Sequence, residues 1–334
     1  MVTALAAVAV GCGGDDKSGG SGSSSEATRS VLGLLGVVAD NEANRSQPIV
    51  YGNLERARGG DNPGSFEDDV ALLMEGTSNS LSLPRAISGG ILEPEFAEFT
   101  GFDTREIEAF LDFGSQPDQV TALVGSFDAG DLESGLRSSP GGDALEEESI
   151  DGVTYMSLGA DDDVDFGAVS AVRRLGEPLR IAVDGDLLYW SRGRALVDAC
   201  IAAASDAGPS LADDAAYAAV AGVLDAASVV TAELVPPWGG EGWAFAGLGE
   251  AFSGETSTLT IALSYSDAAA ASAAVAAFRT QVESGVSLAG SPWSEVLTAT
   301  DIHAEGSLMI ATLTSLNPGI SHDLFLRQEN LLQF

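Results

Sequence analysis

Val120-Thr121-Ala122-Leu123-Val124-Gly125-Ser126-Phe127, followed at once by Asp128, joins a strand signal directly to a helix cap. Its apolar, partly β-branched run suits a buried strand. Asp128 is a good helix N-cap, and Leu132 and Leu136 behind it stand one helical turn apart. The same order returns later. Leu259-Thr260-Ile261-Ala262-Leu263-Ser264-Tyr265-Ser266 reads as a strand, and Asp267 caps an Ala-rich helix running to about Val282. Thr121 to Asp128 and Thr260 to Asp267 have the same spacing and align without a gap. Each unit precedes a hairpin: Leu179 to Trp190 with Asp184-Gly185 at its turn, and Thr300 to Ala311 with Glu305-Gly306 at its turn. The expectation is an α+β fold of two related β-α-β-β-like units, with antiparallel sheets carrying helices on one face.

Working outward, Val31 to Val38, Phe66 to Met74 and Thr104 to Phe113 read as short helices, and Ile49 to Leu54 as a strand. Ala195 to Ala204 has a helical pattern whose small apolar face includes Cys200, which reads as a buried, inert thiol. Ser210 and Asp213 have capping-box spacing before a helix that ends near Asp225, and Val229 to Val235 is a strand. A first α+β domain is expected over 30–235 and a second unit over 236–334.

The charge is extreme: 50 acidic residues against 15 basic ones, a net −35, with Lys17 the one lysine. Such a surface repels nucleic acid, whose backbone needs basic contacts, and it repels anionic headgroups. High external salt or external divalent cations would favour it, and a genome biased toward Arg, Ala, Gly and Asp would also produce it. At 45% hydrophobic residues the chain can form a real core. No apolar run after residue 12 approaches membrane-spanning length.

The first residues carry a different signal. Val2 to Gly11 is apolar and ends in small residues, Cys12 follows, and Gly13 to Ser25 is Gly/Ser-rich. The h-region followed by Ala9-Val10-Gly11-Cys12 resembles the signal peptide and lipobox of prokaryotic lipoproteins. The resemblance implies a signal peptide over 1–11, truncated at its start because no basic residue precedes the apolar run. It further implies cleavage before Cys12 and lipid on that residue. Anchoring at the outer face of the cell membrane, in the periplasm or cell envelope, would follow. Residues 12–29 would then form a tether with a span of roughly 20–25 Å. The Leu187-Leu188-Tyr189-Trp190 strand, the Ala-rich helix and Gly208-Pro209-Ser210-Leu211-Ala212-Asp213-Asp214 resemble uncharacterised extracytoplasmic lipoprotein families, which have no assigned activity.

Few catalytic motifs occur in the sequence. With Lys17 in the tether, the folded part has no lysine for a phosphate loop, a Schiff base or a Ser-Lys dyad. His303 and His322 belong to no zinc motif. Asp161, Asp163 and Asp165 begin like a calcium loop, but Phe166 stands where glycine is needed and Val172 where the bidentate glutamate belongs. They are the candidates for weak divalent cation binding, the sole cofactor expectation. Glu146-Glu147-Glu148 reads as a solvated loop. Trp238, Glu241 and Trp243 sit on a Gly/Pro frame. They form either an aromatic platform for a sugar, peptide or cation, or rings that pin a junction into the core. Arg173-Arg174 and Arg192/Arg194 are the local positive spots, expected to pair with carboxylates. Three functions remain open: a non-enzymatic module binding an envelope protein or small ligand, a hydrolase using paired carboxylates, and a purely structural envelope protein.

Overall fold

The computed structural model describes residues 25–59, 83–88, 93, 95–150, 152–161, 163–239, 242–253 and 256–334. The lipobox with Cys12, the helix expected at 66–74, Asp162 and Glu241 lie outside the described residues. The first half contributes strands β1 (Ile49–Asn53), β2 (Ile107–Ser115), β3 (Asp118–Gly125), β4 (Glu146–Ile150), β5 (Val153–Leu158), β6 (Leu179–Asp184) and β7 (Leu187–Ser191). The second contributes β8 (Thr231–Val235), β9 (Phe245–Ser253), β10 (Thr256–Ser264), β11 (Leu297–Glu305) and β12 (Leu308–Ser315). Among the described residues they form one antiparallel sheet in the order β11-β12-β10-β9-β8-β1-β2-β3-β7-β6-β5-β4. The boundary expected at 235/236 falls between β8 and β9, which are hydrogen-bonded neighbours.

Helices α1 (Val31–Leu35), α2 (Glu42–Arg45), α3 (Leu54–Ala57), α4 (Glu95–Thr100) and α5 (Ala129–Ser138) belong to the first half. Then come α6 (Arg194–Ala204), α7 (Ala215–Ala226), α8 (Ala268–Ser284) and α9 (Ile320–Arg327). They cover both faces of the sheet, not one. On β3, Val120, Ala122 and Val124 join Val197 of α6 and Val220 of α7 on the first face. Leu123 points the other way, to Phe96 of α4 and Leu132 and Leu136 of α5. On β10, Leu259, Ile261 and Leu263 meet Phe278 of α8 and Leu324 of α9 on that second face, while Ala262 joins the first. A strand buried from Val120 to Gly125 without interruption has no face to give to water, so cover on both sides is required.

Aspartate caps start the main helices as their sequence positions suggest. Asp128, Asp214 and Asp267 each accept two backbone N–H bonds in the first turn of α5, α7 and α8. Both hairpins close as expected: Gly185 and Gly306 open two-residue turns with φ of 58° and 55°. The gap-free alignment of the two strands does not hold in space. Val124 faces the first side and Leu263, its counterpart in that alignment, the second. The helix-facing pair is Leu123 and Leu263, five residues before one cap and four before the other, and one residue of slip reverses every side chain.

Other expectations are corrected. Thr104 to Phe113 is not a helix. Asp103 and Glu106 form a capping box, but the turn they start stops at Glu106. From Ile107 the aromatic and apolar residues alternate, Ala109, Leu111 and Phe113 on one face and Phe110 on the other, and pairing in the sheet overrides the cap. Glu146-Glu147-Glu148 is not a loop but part of β4, an exposed edge strand whose charges discourage further pairing. The capping box of Ser210 and Asp213 serves a short 3-10 turn, and α7 is capped instead by the next residue, Asp214. The end of the expected tether is folded: Arg29 is buried and ion-paired with Glu55, and Glu26 pairs with Arg56. Cys200 is buried among first-face residues, and burial pushes its thiol up to about 12.

Candidate functional site

On the second face, at the end of the sheet where β2 turns into β3, the chain leaves a cavity of about 360 Å³. Three pieces of structure build its walls. The hairpin turn supplies Gln116, Pro117 and Gln119, the end of β7 supplies Trp190 and Arg192, and the loop before β6 supplies Val172 to Leu175 and Glu177 to Leu179. A short strap, Arg85-Ala86, completes the lining. The volume falls within the range of small-molecule sites, about 300–1,000 Å³.

The strap is held by the sheet itself. Asp112, fully buried on β2, accepts from the Arg85 backbone N–H at 2.8 Å, and Thr121 on β3 accepts from the Ala86 N–H at 3.3 Å. The Thr121 hydroxyl in turn donates to Asp112. Burial pushes the Asp112 carboxyl up to about 6, with the Thr121 and Arg85 hydrogen bonds opposing the shift.

The lining is cationic in a strongly acidic chain. Arg85, Arg173, Arg174 and Arg192 face one glutamate, Glu177, so four positive charges against one negative leave a surplus of three. Glu177 is ion-paired with Arg192. Arg173 is 5% exposed and donates to the carbonyls of Glu177 at 2.6 Å and Gly176 at 3.0 Å. Burial lowers its pKa, Asp165 and Asp163 oppose that, and Arg180 adds to it. Among the described residues Arg173, Arg85 and Arg174 have no carboxylate at ion-pair distance. Among the described residues the buried Nε2 of Gln119 has no acceptor. The positive spots expected to pair with carboxylates therefore divide. Arg192 does so, and Arg194 meets Glu148, but Arg173 does not.

The residues singled out from sequence lie elsewhere. Trp243 is buried in the core, its indole N–H donating to the Leu332 carbonyl at 3.2 Å. Trp238 meets it edge to face, with ring centroids 6.0 Å apart. The pair is therefore a packed corner, not an open platform. Asp161 is drawn to Arg180 at 2.5 Å, and Asp165 caps a turn by accepting from the Gly167 N–H. Asp161, Asp163 and Asp165 are not gathered on one point, and no group of three metal-ligating side chains occurs among the described residues.

Buried carboxylates were invisible in the sequence. Asp112 and Glu233 lie across from Val50 on either side of β1, and Glu250 follows on β9, all on the second face. Glu250 accepts from Ser257 Oγ at 2.5 Å and from the Gly319 and Ser321 backbone N–H groups, and so caps α9. Glu233 meets Nδ1 of His322 at 3.2 Å through one oxygen. Asp112 and Glu233 are separated by two strand spacings, about 10 Å. Each of these carboxylates has a structural partner, and none lines the arginine cavity.

Among the described residues no helix is long and apolar enough to cross a membrane. No protein-family model matches the chain, and no curated protein matches it. Crystal forms III, I and IV of TP0453 resemble it in three dimensions with TM-scores of 0.42, 0.39 and 0.38. Identities are 13%, 11% and 9% over 86%, 86% and 87% of this chain, and 98%, 96% and 96% of that one. A likeness at these scores carries no argument about what the chain does.

Proposed function

We propose that the chain is an extracytoplasmic lipoprotein, anchored through lipid on Cys12, whose α+β body is a non-enzymatic module that binds a small ligand. The observation that carries the binding half is the cavity beside Trp190, with four arginines among its lining residues and Nε2 of Gln119 without an acceptor among the described residues. The anchor rests on Ala9-Val10-Gly11-Cys12. We further propose that the body consists of two related units. On each side of the β1–β8 pair a hairpin is followed by a helix and later by a hairpin whose last strand returns beside the first, with the β4–β5 hairpin inserted between them in the first half. The order is β1-β2-β3-β7-β6 on one side and β8-β9-β10-β12-β11 on the other. The carboxylate hydrolase gains no support, because Asp112 and Glu250 spend their oxygens on hydrogen bonds within the fold.

The test is native mass spectrometry of the protein purified from its own membranes. The expected result is a mass increment for lipid, lost in Cys12→Ala, and a second, smaller increment released on unfolding. Protein that carries no small adduct, and takes none from a metabolite extract of the same cells, refutes the binding reading. A Cys12→Ala variant that still partitions into detergent refutes the anchor.

A further inference from the structure

We infer that the arginine cavity is an anion site, and that its ligand is a small organic oxyanion, a phosphate ester or a carboxylate on an apolar body. The inference rests on the binding-module reading and names the ligand class of that same cavity. Its first support is the placement of scarce positive charge. The chain has 15 basic residues against 50 acidic ones. Many arginines elsewhere go to acids, Arg45 to Asp40 and Asp214, Arg137 to Glu133, Arg180 to Asp161 and Arg194 to Glu148, while Arg279 donates to the Ile302 carbonyl. At this cavity four arginines line the wall with one glutamate.

The second support is Arg173. A guanidinium has five N–H donors, and this one spends two of them on neutral carbonyls. A buried cation without a counter-charge is costly, and an anion bound at the cavity it borders offsets that cost through the field rather than by direct contact. Asp163 and Asp165 act on it only at longer range. The third support is Gln119, whose buried Nε2 offers hydrogen atoms to which nothing among the described residues responds. Donors outnumber acceptors on the wall, which is what a multi-acceptor oxyanion needs. Trp190, Pro117, Pro178 and Leu179 provide the apolar remainder, a slot for a ring or short chain.

The experiment titrates the detergent-solubilised full chain calorimetrically with phenyl phosphate, benzoate and the neutral benzyl alcohol in 0.15 M salt. Phenyl phosphate or benzoate is expected to bind at least tenfold more tightly than benzyl alcohol. Arg85→Gln with Arg174→Gln, both on exposed side chains that leave the core untouched, is expected to weaken the anion at least tenfold and the alcohol not at all. Vesicles of phosphatidylglycerol in competition separate the two sources of phosphate. Displacement of phenyl phosphate by these vesicles, and not by phosphatidylcholine, assigns the group to a lipid, and its absence to a free solute. Equal affinities for anion and alcohol overturn the anion assignment while leaving a binding cavity in place. No saturable binding of either anion up to millimolar concentration overturns it as well. So does anion binding that the double variant leaves unchanged.

Discussion

Asp112→Asn should make this protein more stable at neutral pH, although it alters a fully buried, hydrogen-bonded residue. Burial pushes the folded carboxyl up to about 6 from its ordinary value of 3.8. An acid with a raised folded pKa keeps its proton in the native state where the unfolded chain has lost it. Stability is therefore greatest below pH 4 and falls as pH rises through 6, after which it levels. The interval from 3.8 to about 6, at 1.36 kcal/mol per pH unit, amounts to about 3 kcal/mol. Asparagine is nearly isosteric. Its carbonyl can accept from the Arg85 N–H, and its amide can donate to Thr121 Oγ1. The Thr121 hydroxyl then loses its acceptor, a cost of about 1 kcal/mol. The variant should gain about 2 kcal/mol over wild type at pH 7 and lose about 1 kcal/mol at pH 3.5, where the carboxyl is protonated in both states and only the hydrogen-bond cost remains. Urea unfolding at half-unit steps from pH 3.5 to 7.5 reads this directly, and every other titrating group cancels in the difference. A difference that stays constant across the range refutes the reasoning, because it would show that Asp112 titrates alike in both states.

Two further outcomes are accessible. Glu233 raises the pKa of His322 through its contact with Nδ1, so Glu233→Gln should bring the His322 titration back toward 6.5; an unchanged NMR titration of the imidazole would show that the contact does not form. A β-carbon on Gly247 would come within 2.5 Å of Val220 and 3.0 Å of Leu224, so Gly247→Val should destabilise by about 1–3 kcal/mol through overpacking. Gly222→Ala in α7, the helix that carries Val220 and Leu224, with nothing within 4 Å, should stabilise by about 0.5–1 kcal/mol, and equal effects at the two sites would refute the close approach of α7 to the sheet.

Local signals in the sequence carried the parts of the fold governed by neighbours in the chain. Asp128, Asp267 and the Gly185 and Gly306 turns are decided within a few residues, and each sits where its spacing places it. Features decided across the sheet were not legible. Asp103 and Glu106 speak for a helix that the pairing of β2 with β1 and β3 cancels. Asp112 and Glu250 read as surface acids in a chain so rich in them, and only the register shows them under the helices of the second face. The site shows the same limit. Arg173-Arg174 was visible as a positive spot. That Arg85, 88 residues upstream of Arg173, joins it depends on Asp112 holding the strap by a backbone N–H, which no side-chain pattern records.

The arginine cavity must work against the protein's own field. A net charge of −35 repels an approaching anion from every side, whereas the arginines attract it only from contact distance. Ionic strength separates the two effects, because the Debye length is about 8 Å at 0.15 M and roughly 30 Å at 0.01 M. At low salt the distant carboxylates reach the ligand before the cavity does; at physiological salt most of them are screened and the guanidiniums in contact are not. The association rate of an anion should therefore rise with salt, opposite to ordinary electrostatic steering, while dissociation also quickens as the direct contacts weaken. Salt that accelerates association marks a local positive site embedded in a repelling surface. A steering patch would give association that slows with salt.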